Sequence, residues 1–373
     1  MQTDKEKSLL RRLPWLQTLL ASLVCILLGL LVGYIALLII NPAGANEAFL
    51  SIIKNFWSYS KPEKQLKNLG VTLVITAPLV MCSLSVLFAY KVGLFNIGAA
   101  GQYVAGAGAC LYCALALKLP WIVCLLAAIL AGALLGVISG AMKAYRNVNE
   151  VISCIMLNWI MLYLVNTVLA TVKNPTGKDT YTLASRNPGA ILPTVGLNDL
   201  FGQKNMTIAV PLAVVMCVVI WVLLSKTRLG YELRATGLNR NAARYCGMRD
   251  RFNMILTMGI AGGLAGMGAA FMFLSDFEQW AVTQASVPAM GFNGIAAAFL
   301  GGLNPIGAIF SSYFIQHISR GGGHLNMNMY SPQISDLILA VIIYMCGFVL
   351  FMKKFMNTQR GTGKKSRKGG RDQ

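Results

Sequence analysis

Charge is scarce in this sequence. Only 12% of its 373 residues are Asp, Glu, Lys or Arg, and 56% are hydrophobic. A soluble domain carries about 25% charged residues, so an ordinary soluble globular protein is excluded. Acids are scarcest, 13 against 32 Lys and Arg, and there are two histidines, His317 and His324. No His/acid/nucleophile set can be assembled from them, so the sequence offers no catalytic residue. A phosphate loop is also missing. Gly363-Lys364-Lys365-Ser366 lies in a basic tail with no strand before it, and ATP cannot be bound by the usual loop. The nine cysteines are scattered, mostly within apolar runs. Cys110 and Cys113 form the closest pair, but no second pair accompanies them, which leaves packing rather than a metal site or a cofactor.

Long apolar runs recur in place of charge. Runs of about 18 or more residues without charge are candidate membrane helices, and the chain reads as an all-α polytopic membrane protein. The net charge of +19 is concentrated at both ends and in residues 225–251, the pattern of loops held on the cytoplasmic side. The expected organisation is a basic cytoplasmic N-terminus (1–15), one membrane domain (16–352) and a basic cytoplasmic tail (353–373). The tail, with Lys364, Lys365, Arg367 and Lys368, suits anionic lipid. Nucleic acid is not an expected partner, because aromatic residues for base stacking are not interleaved with the basic ones.

In chain order, Leu16–Ile40 is too long for a signal-peptide core and lacks a clear cleavage site, so it reads as a retained span. Residues 41–70 form an external loop, with Trp57 and Tyr59 suited to the interface. Val71–Tyr90 crosses next. Asn96–Leu117 is interrupted by Gly98, Gly101, Gly106 and Gly108, which permit close packing or a break beside a cavity. Trp121–Tyr145 carries Gly132, Gly136 and Gly140 on one face. Glu150 precedes the span Val151–Val172, which holds Asn158. An external loop, 173–206, leads to Thr207–Leu224 and then the polar loop 225–251. Phe252–Phe273 carries Gly259, Gly262, Gly263 and Gly266 at small-xxx-small spacing. After a short loop, Gly291–Gly302 and Pro305–Ile318 are both short and read as half-helices or a tilted hairpin, followed by Ile334–Met352. Two basic ends demand an even number of crossings, and the count is about ten transmembrane or half-spanning helices. The interrupted units after Lys91 and after Met290 occupy corresponding places in two halves, which points to an inverted repeat with a pathway near the bilayer midplane.

Five polar residues are candidates for lining that pathway: Asn96, Gln102, Glu150, Asn158 and Asn293. Each lies in or beside an apolar or glycine-interrupted segment, where an unsatisfied polar group costs several kcal/mol, about 2–7 by transfer measurements. Helix–helix hydrogen bonding explains the amides equally well. Glu150 is equally a first-turn acid complementing a helix dipole.

The polar loop is the longest charged interruption between apolar runs. Asn239 is a good helix N-cap and Gly247 can take the left-handed conformation that ends a helix, leaving about two turns between them. Arg240 and Arg244 share a face and repel. Either an acidic partner offsets that repulsion or the loop lies solvated near lipid headgroups.

The run from Gly230 to Tyr245, Gly-Tyr-Glu-Leu-Arg-Ala-Thr-Gly-Leu-Asn-x-x-Ala-Ala-Arg-Tyr, resembles the coupling loop of ABC-importer permeases. Gly93–Gln102, Asn149–Asn158, and Gly291–Ala296 with Asn304–Gly307 resemble the same group, the branched-chain amino acid, sugar and nucleoside permease family. The combination is most similar to its nucleoside (BMP-type) branch. One departure is Ala100, where that branch usually carries Glu. The resemblance implies a permease subunit in a bacterial plasma membrane, working by alternating access. It implies ABC ATPase subunits, a second homologous permease and an extracytoplasmic substrate-binding lipoprotein as partners. It also implies that Glu232, Arg234, Gly237, Asn239, Ala242 and Ala243 form the contact to the ATPase. The alternatives are a sugar or branched-chain amino acid permease, or an ion-coupled secondary carrier, which would work without ATPases.

Overall fold

The computed structural model describes residues 14–348, apart from 176, 326–328 and 332. The basic tail, most of the basic N-terminus and the end of the expected last span at Met352 lie outside the described residues. Within them the chain is helical, with two isolated β-bridges and no strand.

The helices in order are α1 (Pro14–Ile40), α2 (Ala45–Lys54), α3 (Pro62–Lys91), α4 (Ala99–Leu115), α5 (Trp121–Arg146), α6 (Glu150–Leu169), α7 (Leu183–Arg186), α8 (Leu197–Phe201), α9 (Ala209–Lys226), α10 (Arg228–Leu238), α11 (Arg240–Tyr245), α12 (Asp250–Phe273), α13 (Ala289–Leu300), α14 (Pro305–Gly321) and α15 (Ile334–Cys346). Six of them contain a stretch long and apolar enough to cross a membrane: α1, α3, α5, α6 with its 3-10 extension, α9 and α12. Two shorter stretches are also apolar, α13 with 12 residues and Asp336–Met345 within α15, while α4 and α14 have 17 residues each.

Two boundaries differ from the sequence reading. α3 begins at Pro62, well before Val71, because Pro62 and Glu63 open its first turn and proline and acids both favour that position. Its first turns are polar, so hydropathy alone does not see them. The stretch read as one external loop also holds α2, an amphipathic helix whose buried residues are Ala45, Ala48 and Ile52.

The chain divides into two compact units. In the smaller, α1 packs on α15 through Gly29 and Gly33. A Cβ on Gly29 would stand 2.7 Å from Ile342 Cα, and one on Gly33 would stand 2.9 Å from Ile338 Cγ2. The larger unit holds α3–α12. In α3 and α12, 89% and 83% of the apolar stretch is buried, whereas in α6 and α9 the share is 28%. α3 and α12 are therefore central, and α6 and α9 present most of their apolar surface outward.

Glycines set the packing of the larger unit. A Cβ on Gly132 would run into the Gly262 carbonyl, and one on Gly136 into the Met258 carbonyl. In return, a Cβ on Gly262 would meet the Gly132 carbonyl, and one on Gly266 the Ala128 carbonyl. The two glycine faces expected from the sequence are thus the two sides of one seam between α5 and α12. α4 closes on the same helix, with Gly106 placed so that a Cβ would lie 2.6 Å from Gly266 Cα. Leu126, Leu130 and Leu134, on the other side of α5, remain exposed. Without a hydrophobic force between helices in lipid, such backbone-to-backbone approach is what van der Waals attraction can exploit.

The interruptions fall where glycine spacing places them. α3 ends at Lys91 and α4 starts at Ala99, with Gly93 at φ +77° in the turn between them. α13 stops at Leu300 and α14 starts at Pro305, with Gly302 at φ +66° and Leu303 at φ +55°.

Candidate functional site

The turn between α3 and α4 carries the amide cluster. Asn96 is fully buried and its Nδ2 donates to Ser85 Oγ of α3 at 2.9 Å and to Gln102 Oε1 of α4 at 2.8 Å. Gln102 Nε2 donates back to Asn96 Oδ1 at 3.2 Å. One side chain thus bridges the helices on both sides of the break.

Asn158 reaches the same break from α6. The residue before α4 is Gly98, which has no side chain to cap the helix, and the first N–H groups of a helix lack an internal partner. Asn158 Oδ1 accepts the Gly101 N–H at 2.8 Å, while its Nδ2 donates to the Ile97 carbonyl at 3.2 Å. Asn158 is therefore the cap of α4, supplied by another helix. The approach requires Gly101, where a Cβ would stand 2.7 Å from Asn158 Cα.

The other two pathway candidates are placed differently. Glu150 opens α6, beside the cap Asn149, and forms an ion pair with Lys143 Nζ at 2.8 Å. Asn293 is half-buried on α13. No described hydrogen bond joins either side chain to the amide cluster. α13 nevertheless presses on the break, since a Cβ on Gly291 would lie 2.5 Å from Ala100 N and one on Gly294 would lie 2.7 Å from Cys82 Cβ. Ala100 is fully buried under Gly291, and a small residue at 100 suits that closeness.

The polar loop forms a compact two-helix unit. Thr227 caps α10 by accepting the Gly230 N–H at 3.0 Å, and Asn239 caps α11 by accepting the Ala242 N–H at 3.0 Å. Gly247 follows α11 at φ +79°, the left-handed exit expected from its sequence. The segment 228–238, read as loop, is helical instead. Thr227, Leu233 and Thr236 each serve it: Leu233 is fully buried, and Thr236 Oγ1 accepts from Asn253 Nδ2 at 2.8 Å, tying α10 to α12.

The acid that offsets Arg240 and Arg244 is within the chain. Arg240 Nε lies 2.6 Å from Asp250 Oδ2, and Arg244 Nε lies 3.6 Å from Asp250 Oδ1. Asp250 is 5% exposed, so one buried carboxylate at the start of α12 holds both arginines of α11. Sequence reasoning missed it, although Asp250 lies only six positions after Arg244.

The coupling candidates separate by burial. Ala242, Asn239 and, beside them, Leu238 and Tyr245 are exposed, the last two at 89% and 95%. Ala243 is buried, so its small size serves contacts within the chain. Glu232 pairs with Arg228 at 3.0 Å. Arg234 Nε reaches the Gly230 carbonyl at 3.4 Å and has no carboxylate partner among the described residues. Gly237 rests on the backbone of Val92–Gly93, where its Cβ would collide with the Val92 carbonyl group. Four residues after Val92 comes Asn96, so α10 bears directly on the turn that carries the amide cluster.

Among the described residues this arrangement brings together no bond-breaking set. Among the described residues no group of His, Cys, Asp and Glu could hold a metal ion. The family described as branched-chain amino acid transport system / permease component matches residues 68–346. The chain is 32% identical over 343 residues to the nucleoside ABC transporter permease protein NupB of Lactococcus lactis subsp. cremoris, covering 87% of this chain and 89% of that protein. It is 31% identical over 339 residues to the guanosine ABC transporter permease protein NupP of Bacillus subtilis, covering 88% and 92%. It is 28% identical over 349 residues to the glucose ABC transporter permease protein TsgB13 of Haloferax volcanii, covering 88% and 87%. No solved structure matches the chain. A multi-pass helical chain with glycine-interrupted helices, matched over most of its length, belongs to the branched-chain amino acid transport system permease family.

Proposed function

We propose that this protein is a membrane-spanning subunit of an ATP-driven importer that takes up nucleosides. The observation that carries the reading is the pair of relatives named as nucleoside and guanosine permeases, each above 30% identity and covered almost end to end. Its partners are ABC ATPase subunits, a second homologous permease and an extracytoplasmic substrate-binding lipoprotein. The polar loop 225–251 and both basic ends face the cytoplasm, a reading supported by the crowding of Lys and Arg there.

The mechanism is alternating access. The ATPase seats on the exposed side of α10–α11, around Leu238, Asn239, Ala242 and Tyr245. Arg234, with no carboxylate partner among the described residues, is available for a bidentate bond to an ATPase carboxylate, which Lys could not reproduce. Movement of α10 is transmitted where Gly237 rests on Val92–Gly93. It reaches the break held by Asn96, Gln102 and Asn158. Packed contacts with two arrangements carry such coupling. The amide cluster borders the pathway, and Glu150 and Asn293 lie on the elements that would move with it.

Reconstitution with the ATPase subunits and the binding lipoprotein tests the reading. ATP-dependent accumulation of labelled nucleosides, uncompeted by excess glucose or leucine, is the expected result. Competition by glucose would favour the sugar reading, which the 28% relative TsgB13 supports. Uptake by the chain alone, without ATPase, would make it a secondary carrier.

A further inference from the structure

A cavity of about 240 Å³ lies at the end of α12 away from the polar loop. α12 has 24 residues, and at 1.5 Å per residue this end is about 36 Å from Asp250. One wall is aromatic: Tyr103 and Phe273 have ring centroids 6.1 Å apart, and Phe273 and Trp280 have theirs 5.8 Å apart. All three residues are buried, and Tyr103 adjoins Gln102 of the amide cluster in sequence. The wall is fixed in advance. Trp280 Nε1 donates to Asn166 Oδ1 at 2.8 Å, and Asn166 Nδ2 donates to the Gln284 carbonyl at 2.9 Å. The Trp280 backbone is held by Thr180, through Thr180 N to Trp280 O at 2.9 Å.

Polar side chains share the lining. The side chains of Glu278, Gln279 and Gln284 border the cavity and have no described hydrogen-bond or ion-pair partner. Glu278 stays open to water, yet the protein mass around it raises its carboxyl above the ordinary pKa through desolvation. A carboxylate in that condition gains from any donor brought to it.

Resting on the nucleoside reading, we propose that this cavity is a base-binding subsite for a purine that presents two adjacent N–H donors, as guanine does. The volume is below the roughly 300–1,000 Å³ of drug-sized pockets, so it takes a base while the ribose stays outside. Bases are read along their hydrogen-bonding edges, and here the polar side chains do the reading, over a floor set by the buried aromatic cluster. Two parallel N–H groups match the two oxygens of Glu278, the geometry of a bidentate carboxylate contact. Adenine offers that edge one amino donor beside a ring acceptor, which would face the carboxylate's lone pairs. A site built around such polar groups rejects a ligand that leaves them unpaired. Gln279 and Gln284, each with donors and an acceptor, serve the remaining edge.

Equilibrium binding of tritiated guanosine and adenosine to the full chain with its ATPase subunits in nanodiscs, without the lipoprotein, tests the subsite. Wild type should favour guanosine at least tenfold. Glu278→Gln should lower guanosine binding at least tenfold and strengthen adenosine binding, because the Gln amide offers adenine a donor and an acceptor side by side; the Glu278 carboxylate has no described partner, so the fold does not depend on it. Ala289→Phe, at the exposed start of α13, should fill the cavity and lower binding of both. Unchanged guanosine binding in both variants, or no binding in wild type, while ATP-driven guanosine uptake persists, overturns the subsite and leaves the importer standing. No uptake of any nucleoside by the assembled transporter overturns both.

Discussion

The amide cluster buries polar side chains, whereas the polar loop exposes apolar ones. Asn96, Gln102 and Asn158 are buried to within 2% exposure, and each is paired with a neighbour or a helix end. In the loop Leu238 and Tyr245 are apolar and almost wholly exposed, and Arg234 lacks a carboxylate among the described residues. Burying polar groups with every bond made fixes a local geometry. Exposing apolar side chains beside an unpaired cation leaves a surface that another molecule can complete. In the proposed mechanism the cluster would be the rigid end of the transmission and the loop its receiving end. Gly237 packs on Val92–Gly93, the contact that would join them.

The largest effect should come from the scaffold that both regions share. Gly136→Leu places a side chain against the Met258 carbonyl in the α5–α12 seam. Over-packing costs about 1–3 kcal/mol when side chains can yield, and here the obstacle is backbone. The variant should lose its monodisperse peak in size-exclusion chromatography. A normal peak and melting temperature would mean that the two helices do not need to touch.

Asn158→Leu should have the next largest effect. It removes the bond to the Gly101 N–H and the bond to the Ile97 carbonyl. Each buried group left without a partner costs about 1–3 kcal/mol. A lower melting temperature and weaker uptake are expected. Asn158→Asp keeps the acceptor for Gly101 and, when protonated, a donor for Ile97, so its loss should shrink as the pH falls. Losses equal to those of Asn158→Leu at every pH would remove the capping role.

How much of this was open to reading from residue order follows from the distance each feature spans. The cap Asn239 and the exit Gly247 were legible because capping is decided within a few residues. The glycine faces of α5 and α12 were legible by their spacing of four, although spacing alone could not say that each was the other's partner. Asn158 was singled out as a polar residue in an apolar span, but its role depends on Gly101, 57 positions away. The Asp250 clamp lay only ten positions from Arg240. It escaped because Asp250 also reads as an ordinary first-turn acid of α12. The polar start of α3 escaped hydropathy, since its first two turns carry Glu63, Lys64 and Lys67. The cavity of Tyr103, Phe273 and Trp280 joins three separate stretches, and only the fold brings them together.

Gly237→Ala should separate the two regions at their joint. The added methyl meets the Val92 carbonyl group, pushing α10 away from the turn without touching Asn96 or the exposed loop surface. Uptake should fall severalfold, while the ATPase still co-purifies and hydrolyses ATP. Loss of ATPase association would instead place Gly237 in the contact surface, and full uptake would remove the joint altogether.

The smallest effect belongs to the outer edge of the loop. Arg228 and Glu232 form a pair spaced four apart at 3.0 Å, but the Arg228 side chain is 93% exposed. Pairs of this kind on a helix surface contribute about 0.3–0.5 kcal/mol, and salt screens them further. Arg228→Ala should therefore leave melting temperature, ATPase association and uptake unchanged. Glu232→Ala breaks the same pair, so its effect on stability should be equally small. Any weakening of ATPase co-purification seen with Glu232→Ala but not with Arg228→Ala must then come from contact between Glu232 and the ATPase. If the two variants behave alike in every measurement, Glu232 belongs to the solvated face of α10, and the contact surface shrinks to the residues around Leu238 and Tyr245.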